Sequence, residues 1–136
     1  MEDCIFCKIT KGEIQNEKIF EDENVYAFMD ANPITKGHVL VIPKKHSSNI
    51  LETEDEVLSK TMICAKKIAK TVTHAMNASG FNLTTNTGAD AGQGVFHFHF
   101  HIIPRYSSKE LVPWPHHTAE PKTRQEIAAH IKEFFK

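Results

Sequence analysis

From Phe96 to Pro104 the chain reads FHFHFHIIP, with imidazole and apolar side chains strictly alternating. Alternate residues of an extended chain point to opposite faces, so a strand here must bury Phe98, Phe100 and Ile102 on one side and present His97, His99 and His101 on the other. That pattern demands a sheet with a core beneath it and chemistry above it. At a rise of about 3.3 Å per residue, His97 and His101 stand ~13 Å apart along the backbone, too far to share one metal ion. Thr, Lys or Glu would line a merely polar sheet face equally well. Three imidazoles therefore mark a functional site, whether for metal ligation, nucleophilic catalysis or a division of labour between them.

The rest of the chain supplies the sheet. KIFED and NVYAFMD form a hairpin joined at Asp22-Glu23-Asn24, ANPITKG makes a turn, and HVLVIP is a buried strand ended by Pro43. From Thr53 the periodicity becomes helical, with Thr53-x-x-Glu56 as a capping box and Leu58, Met62, Ala65, Ala69, Val72 and Met76 as the stripe facing the sheet. Cys64 lies within that helix as a small buried side chain. Gly80 is the stop signal, FNLTTN a further strand, and TGADAGQG a glycine-rich loop leading into the histidines. A second, C-terminal helix over PKTRQEIAAHIKEFF points Ile127, Ile131 and Phe134 inward. At 136 residues, with no repeat or linker, this is one α+β domain built on an antiparallel sheet, its tail and last helix running from about residue 107 to 136.

Net charge narrows the function. At −1, the chain has no overall field to draw it to nucleic acid or an anionic membrane, so an anionic ligand must be held locally. MEDCIFCKIT has the wrong charge order for a secretory signal, no run approaches a membrane span, and an odd number of cysteines fits reduced thiols; a cytoplasmic location is expected. Cys4-x-x-Cys7 has the spacing to clasp a tetrahedral zinc ion, with His97 and His46 the candidates to complete a closed, structural Cys2His2 site. Ordinary reduced thiols are the bland alternative; a redox pair lacks its usual βαβ setting. Gly88, Gly92 and Gly94 let backbone amides approach an anion closely. Joined directly to the histidines, the loop becomes a phosphate cradle in which His99 is the natural nucleophile toward phosphorus, rather than a flexible connection alone.

His97-Phe98-His99-Phe100-His101-Ile102-Ile103 is a full match to the motif of the histidine triad (HIT) family of nucleotide hydrolases and transferases, and the chain resembles that family over most of residues 4 to 106. The resemblance implies a five-stranded antiparallel sheet with two helices and a homodimer with a continuous sheet. It implies that His99 attacks an α-phosphorus and carries the nucleoside monophosphate, that His101 contacts the phosphate, and that His38 supports the nucleophile. Asn86, Gly92, Gln93, Gly94 and Val95 match positions around the phosphate and leaving group. Asp30 matches the carboxylate on the ribose hydroxyls, and Ile5, Phe6, Ile9 and Phe28 match the apolar pocket for a purine base. Chemically, an acidic side chain suits a diol and aromatic faces suit a purine. Zinc-binding bacterial members and the related galactose-phosphate uridylyltransferases match Cys4, Cys7, His46 and His97 as ligands. Gly94 stands where the family often has Ser or Thr, removing a hydroxyl that could assist the leaving group. The expected activity is cleavage of nucleoside phosphoramidates or dinucleoside polyphosphates through a nucleotidyl-histidine, with HIIPR leaning toward the polyphosphate branch and Trp114 shaping substrate choice. The alternative is a zinc-stabilised nucleotide-binding or scaffolding protein with vestigial hydrolysis.

Overall fold

The computed structural model describes residues 3–135. Five antiparallel strands form one sheet in the order β1-β2-β3-β5-β4: β1 Lys18–Glu21, β2 Val25–Met29, β3 Val39–Pro43, β4 Gly80–Thr84 and β5 Phe100–Arg105. Helices α1 Ile5–Thr10, α2 Asp55–Ala75 and α3 Pro121–Lys132 complete the chain, together with two short 3-10 turns. There are three helices where the resemblance implied two. No helix among the described residues is long and apolar enough to cross a membrane.

The central strands are apolar on both sides because both faces are covered. Val25, Ala27, Val39 and Val41 join Phe98, Phe100 and Ile102 against Cys64, Ala65, Ile68, Ala69 and Val72 of α2. Tyr26, Phe28, Leu40 and Ile42 point the other way, where they pack with Phe6 and Ile9 of α1. All three triad histidines stand on this second face, so α2 supports the sheet from behind and leaves the front for chemistry.

Several local expectations are corrected. Of the expected α2 stripe, Ala65, Ala69 and Val72 are buried and Leu58 and Met76 pack against the core, but Met62 is exposed, and Thr61, Cys64 and Ile68 complete the inward face. Thr53 does not cap α2. Its hydroxyl contacts the Ser47 hydroxyl at 2.6 Å and donates to the Asn49 carbonyl at 2.8 Å, while α2 starts after Glu54 with no side-chain cap. The helix stops before Gly80. Asn77 takes a left-handed φ of 54°, and the amides of Asn77 and Ala78 donate to the carbonyls of His74 and Thr73, the Schellman arrangement. Ile127, Ile131 and Phe134 point outward: α3 buries none of its residues against its own chain.

The triad does not lie on one regular strand either. Register pairs Val41 with Phe100, which places Pro43 where the ladder would continue, and a proline has no N–H to extend it. The Phe98 amide instead donates to the Ser47 carbonyl at 2.7 Å. His97 and His99 thus precede β5 while keeping their alternation, since Phe98 and Phe100 remain buried on the α2 side.

Gly37 allows the chain to return from the turn after β2. Its φ is +92°, and an added Cβ would stand 2.9 Å from Met76 Cγ and 3.3 Å from Pro104 Cγ. Gly37→Ala is expected to lower unfolding free energy by about 1–3 kcal/mol, measured by urea denaturation.

Candidate functional site

Two groups of titratable side chains meet on the front of the sheet. In the first, the four expected ligands converge from three parts of the chain: Cys4 and Cys7 from the start of α1, His46 from the loop after β3, and His97. His97 Nδ1 is 3.3 Å from Cys4 Sγ, 3.6 Å from Cys7 Sγ and 3.2 Å from His46 Nδ1, and Cys7 Sγ is 3.5 Å from His46 Nδ1. The His97 ring is wholly buried. Its Nε2 lies 2.8 Å from the Pro43 carbonyl, which can only accept, so that nitrogen carries the proton and Nδ1 turns a lone pair into the cluster. Burial pushes the Cys7 thiol up and holds His97 down to about 4. Neutral imidazoles and reluctant thiols crowded together without charge are a donor set suited to a cation, which would favour thiolate. The four residues could hold a metal ion.

The second group joins His99, His101, His38 and Asp30. His99 is buried, and its Nδ1 lies 2.7 Å from the His97 carbonyl, so Nδ1–H donates and Nε2 carries the lone pair. The turn from Asp30 to His38 builds the other half. The Ile34 amide donates to His38 Nδ1 at 3.0 Å, which puts the His38 proton on Nε2, 2.9 Å from His101 Nδ1 and 3.4 Å from Asp30 Oδ2. His101 therefore accepts at Nδ1 and keeps its own proton on Nε2. Although Asp30, His38 and His101 also approach one another closely enough to bracket a cation, a metal on His38 Nε2 would need an imidazolate, because Nδ1 is already accepting. His38 and His101 form a hydrogen-bonded pair with the Asp30 carboxylate beside it. His38 supports His101 directly and His99 only through it.

Desolvation dominates the electrostatics. Burial pushes His99 and His38 below the usual imidazole range, against the pull of Asp30 on both and of the His97 carbonyl on His99; His101 is pushed down to about 4. The imidazoles are consequently neutral, and Asp30 Oδ2 stands 3.4 Å from the uncharged His38 ring. The rings of His99 and His101 stand 4.8 Å apart, centroid to centroid. Two adjacent imidazoles thus hold opposite tautomers, one with a lone pair at Nε2 and one with an N–H there.

The remaining expected residues fall around this pair in different ways. Phe6 packs edge-on to His99 at 5.1 Å and to Phe28 at 5.4 Å; Phe6, Ile9 and Phe28 are almost wholly buried, while Ile5 is exposed at the rim. Gln93 is braced by its own loop and by the segment after β3: its Nε2 donates to the carbonyls of Val95 and Ser48, and its Oε1 accepts from the Gly88 amide at 2.9 Å. Asn86 Nδ2 donates to the Gly92 carbonyl at 3.4 Å. Gly88 and Gly92 both need their freedom, each with φ of +92°. At Gly94 a Cβ would meet nothing within 4 Å, so the missing hydroxyl is not a packing requirement. Val95 packs partly against the apolar cluster under α1. Reading the sequence missed Thr85, whose hydroxyl donates to the His99 carbonyl at 2.7 Å, and Glu110, which accepts from Arg105 Nε at 2.7 Å; neither lies in a motif.

An antiparallel α+β sheet that presents alternating histidines beside a Cys2His2 cluster defines a histidine-triad type of fold. The HIT domain pattern matches residues 11–108, and the chain belongs to the HIT family. It is 42% identical to Protein hit of Bacillus subtilis over 96% of this chain and 92% of that one. It is 43% identical to an adenosine 5′-monophosphoramidase of Saccharomyces cerevisiae over 82% of this chain and 70% of that one. Among solved structures, a HIT family member from Bacillus subtilis superposes with a TM-score of 0.88 at 41% identity, covering 98% of both chains. A zinc-bound histidine triad family protein from Mycobacterium smegmatis does so with a TM-score of 0.78 at 32% identity, covering 97% of both.

The depressed His101 has a consequence for stability. Its ordinary value is 6.5 and its folded value about 4, so below pH 6.5 the unfolded chain binds a proton that the folded chain refuses. The stability present above pH 6.5 is expected to decline as pH falls toward 4, with a shallower decline in His101→Asn, measured by denaturant titration across that range.

Proposed function

We propose that the protein is a nucleotide hydrolase that acts through a covalent His99-nucleotidyl intermediate. The observation that carries this reading is the pair of opposite tautomers. His99 Nε2 offers a lone pair while its Nδ1–H is held by the His97 carbonyl, and His101 Nε2 offers a donor at the neighbouring position. Depressed pKa values keep the nucleophile unprotonated at neutral pH. In the first step His99 Nε2 bonds to the α-phosphorus and the bond from phosphorus to the leaving group breaks. The electron pair departs with the leaving group, which takes a proton from solvent. His101 Nε2–H and the amides of the glycine loop hold the phosphoryl oxygens. Water then attacks phosphorus, the electron pair returns to His99 Nε2, and the water's proton is released. Asp30 is assigned to the ribose hydroxyls, and the Phe6, Ile9 and Phe28 cluster with Ile5 at its rim to a purine base. The yeast relative named for a monophosphoramidase activity supports this reaction class. Phosphoramidates and dinucleoside polyphosphates share the α-phosphorus and are both candidate substrates.

The metal of the Cys4, Cys7, His46 and His97 site is read as structural zinc. Tetrahedral zinc with ordinary bond lengths sets nitrogen–nitrogen edges of about 3.3 Å and nitrogen–sulfur edges of about 3.6 Å. The contacts of 3.2 to 3.6 Å in the cluster fit those edges, and the zinc-bound relative is consistent with them. When bound, the ion ties α1 to the loop after β3 and to His97.

Brief incubation with adenosine 5′-phosphoramidate, followed by acid-free mass spectrometry, is expected to show an adenylyl mass on His99; no adduct and no turnover with any nucleotide would refute the nucleophile. His99→Ala is expected to lose roughly 10³-fold or more of the turnover. Protein purified without added metal is expected to carry close to one zinc per chain by elemental analysis. Cys7→Ser is expected to abolish that content and lower the melting temperature.

A further inference from the structure

His99 lies just beyond the regular sheet. β3 pairs with β5 only as far as Val41 opposite Phe100, and β4 only as far as Thr84 opposite His101. Had the second ladder continued, Asn86 would stand opposite His99. Instead β4 leads away into the glycine loop, and the main chain at His99 must be held by other groups.

Two pairs of neighbouring residues share that task. On the β3 side, the Ser47 carbonyl accepts from the Phe98 amide at 2.7 Å, and the Ser48 carbonyl accepts from Gln93 Nε2 at 2.6 Å. On the β4 side, the Thr85 hydroxyl donates to the His99 carbonyl at 2.7 Å, and Asn86 Nδ2 donates to the Gly92 carbonyl at 3.4 Å. In each pair one residue grips the triad segment and the next grips the glycine loop. The spacing between His99 and that loop is therefore set from both flanks.

The flanks differ in kind. On the β3 side both acceptors are main-chain carbonyls, which any residue provides, whereas on the β4 side both donors are side chains. Of these two, the Thr85 contact is the shorter, and it ends on His99 itself. Threonine suits the place, because branching at Cβ limits χ1 and aims the hydroxyl without a long flexible arm. A nucleophile depends on such aim: a displacement of about 1 Å can cost ~100-fold in rate.

We propose that Thr85 is a positioning residue for His99. Its hydroxyl fixes the main chain of the nucleophile against the loop held by Asn86, so that Nε2 meets a phosphorus seated on the loop at attacking distance. The proposal rests on the reading of His99 as the nucleophile. It adds a residue outside the histidine motif, the glycine loop and the metal-type cluster, one that acts through the His99 backbone rather than on the substrate.

Single-turnover rapid quench with adenosine 5′-phosphoramidate, read as adenylyl-enzyme, separates the maximal rate of adduct formation from the substrate concentration that gives half of it. Thr85→Val keeps the shape and removes the hydroxyl; its maximal rate is expected to fall about tenfold, with the half-saturating concentration changed by less than about twofold. Thr85→Ala, which lacks the hydroxyl and has no bulk to clash, should lose as much. Thr85→Ser restores the donor and is expected to recover the rate to within about threefold of the unsubstituted chain. Urea denaturation of the same variants reports the fold. Lower stability with an unchanged maximal rate would reduce Thr85 to a tie at the end of a strand and overturn the proposal. So would a loss that falls on the half-saturating concentration, which would place the hydroxyl on the substrate, or an equal loss in Thr85→Ser, which would make the methyl group the cause. Absence of any adduct in the unsubstituted chain would instead show that the His99 reading itself has failed, and the proposal with it.

Discussion

Residue 97 joins the two sites of this protein through two different parts of itself. Its ring gives Nε2–H to the Pro43 carbonyl and thereby aims Nδ1 at Cys4, Cys7 and His46. Its backbone carbonyl, 2.7 Å from His99 Nδ1, holds the neighbouring imidazole in the tautomer that leaves Nε2 free. Had the His97 ring turned, the metal-type cluster would lose its central donor; had its peptide turned, His99 would lose its tautomer. Local backbone position at one residue therefore governs both the integrity of the fold's front face and the tautomer of His99. A second residue, His38, plays the matching part for His101, with the Ile34 amide fixing the proton on the opposite nitrogen.

Both devices depend on burial. His97 and His38 are each about 1% exposed or less, and in such surroundings an imidazole stays neutral and its hydrogen bonds are exclusive. The sheet supplies the burial because α2 seals its back with small side chains: Ala65 and Ala69 are fully buried and allow the helix to sit close against Val39, Val41 and Phe100. On the front, α1 covers only the β2–β3 side, and the β4–β5 side is left as a groove beyond His101. One half of the face is thus filled with core and the other half is open to a ligand.

Much of this was legible in the residues. The three strands from Lys18 to Pro43, the strand after Gly80 and the long helix follow from period and turn chemistry, and the four convergent cysteine and histidine ligands follow from spacing and the family motif. The misplaced features share a physical cause. Thr53 has the sequence of a helix cap, but its hydroxyl is taken by Ser47 and Asn49. Met62 lies outside the α2 stripe while Thr61 beside it is buried, because the Thr61 hydroxyl can bury itself by donating to the Val57 carbonyl, which polarity alone does not reveal. Ile127, Ile131 and Phe134 have the spacing of an inward face, yet among the described residues they stay exposed. In each case a local pattern was read correctly and its partner lay elsewhere.

The alternation in FHFHFHIIP by itself determined that Phe98, Phe100 and Ile102 would be buried and that the histidines would share the opposite face, because side chains of an extended chain have no other choice. It also determined that His97 and His101 would serve different sites. The protonation of each ring was decided only by tertiary structure. Which nitrogen carries the hydrogen depends on the acceptors that fold against it, the carbonyls of Pro43 and His97 and the ring of His101, and on the Ile34 amide that claims the other nitrogen of His38. Those contacts come from residues up to 63 positions away in the chain, and no local pattern encodes them.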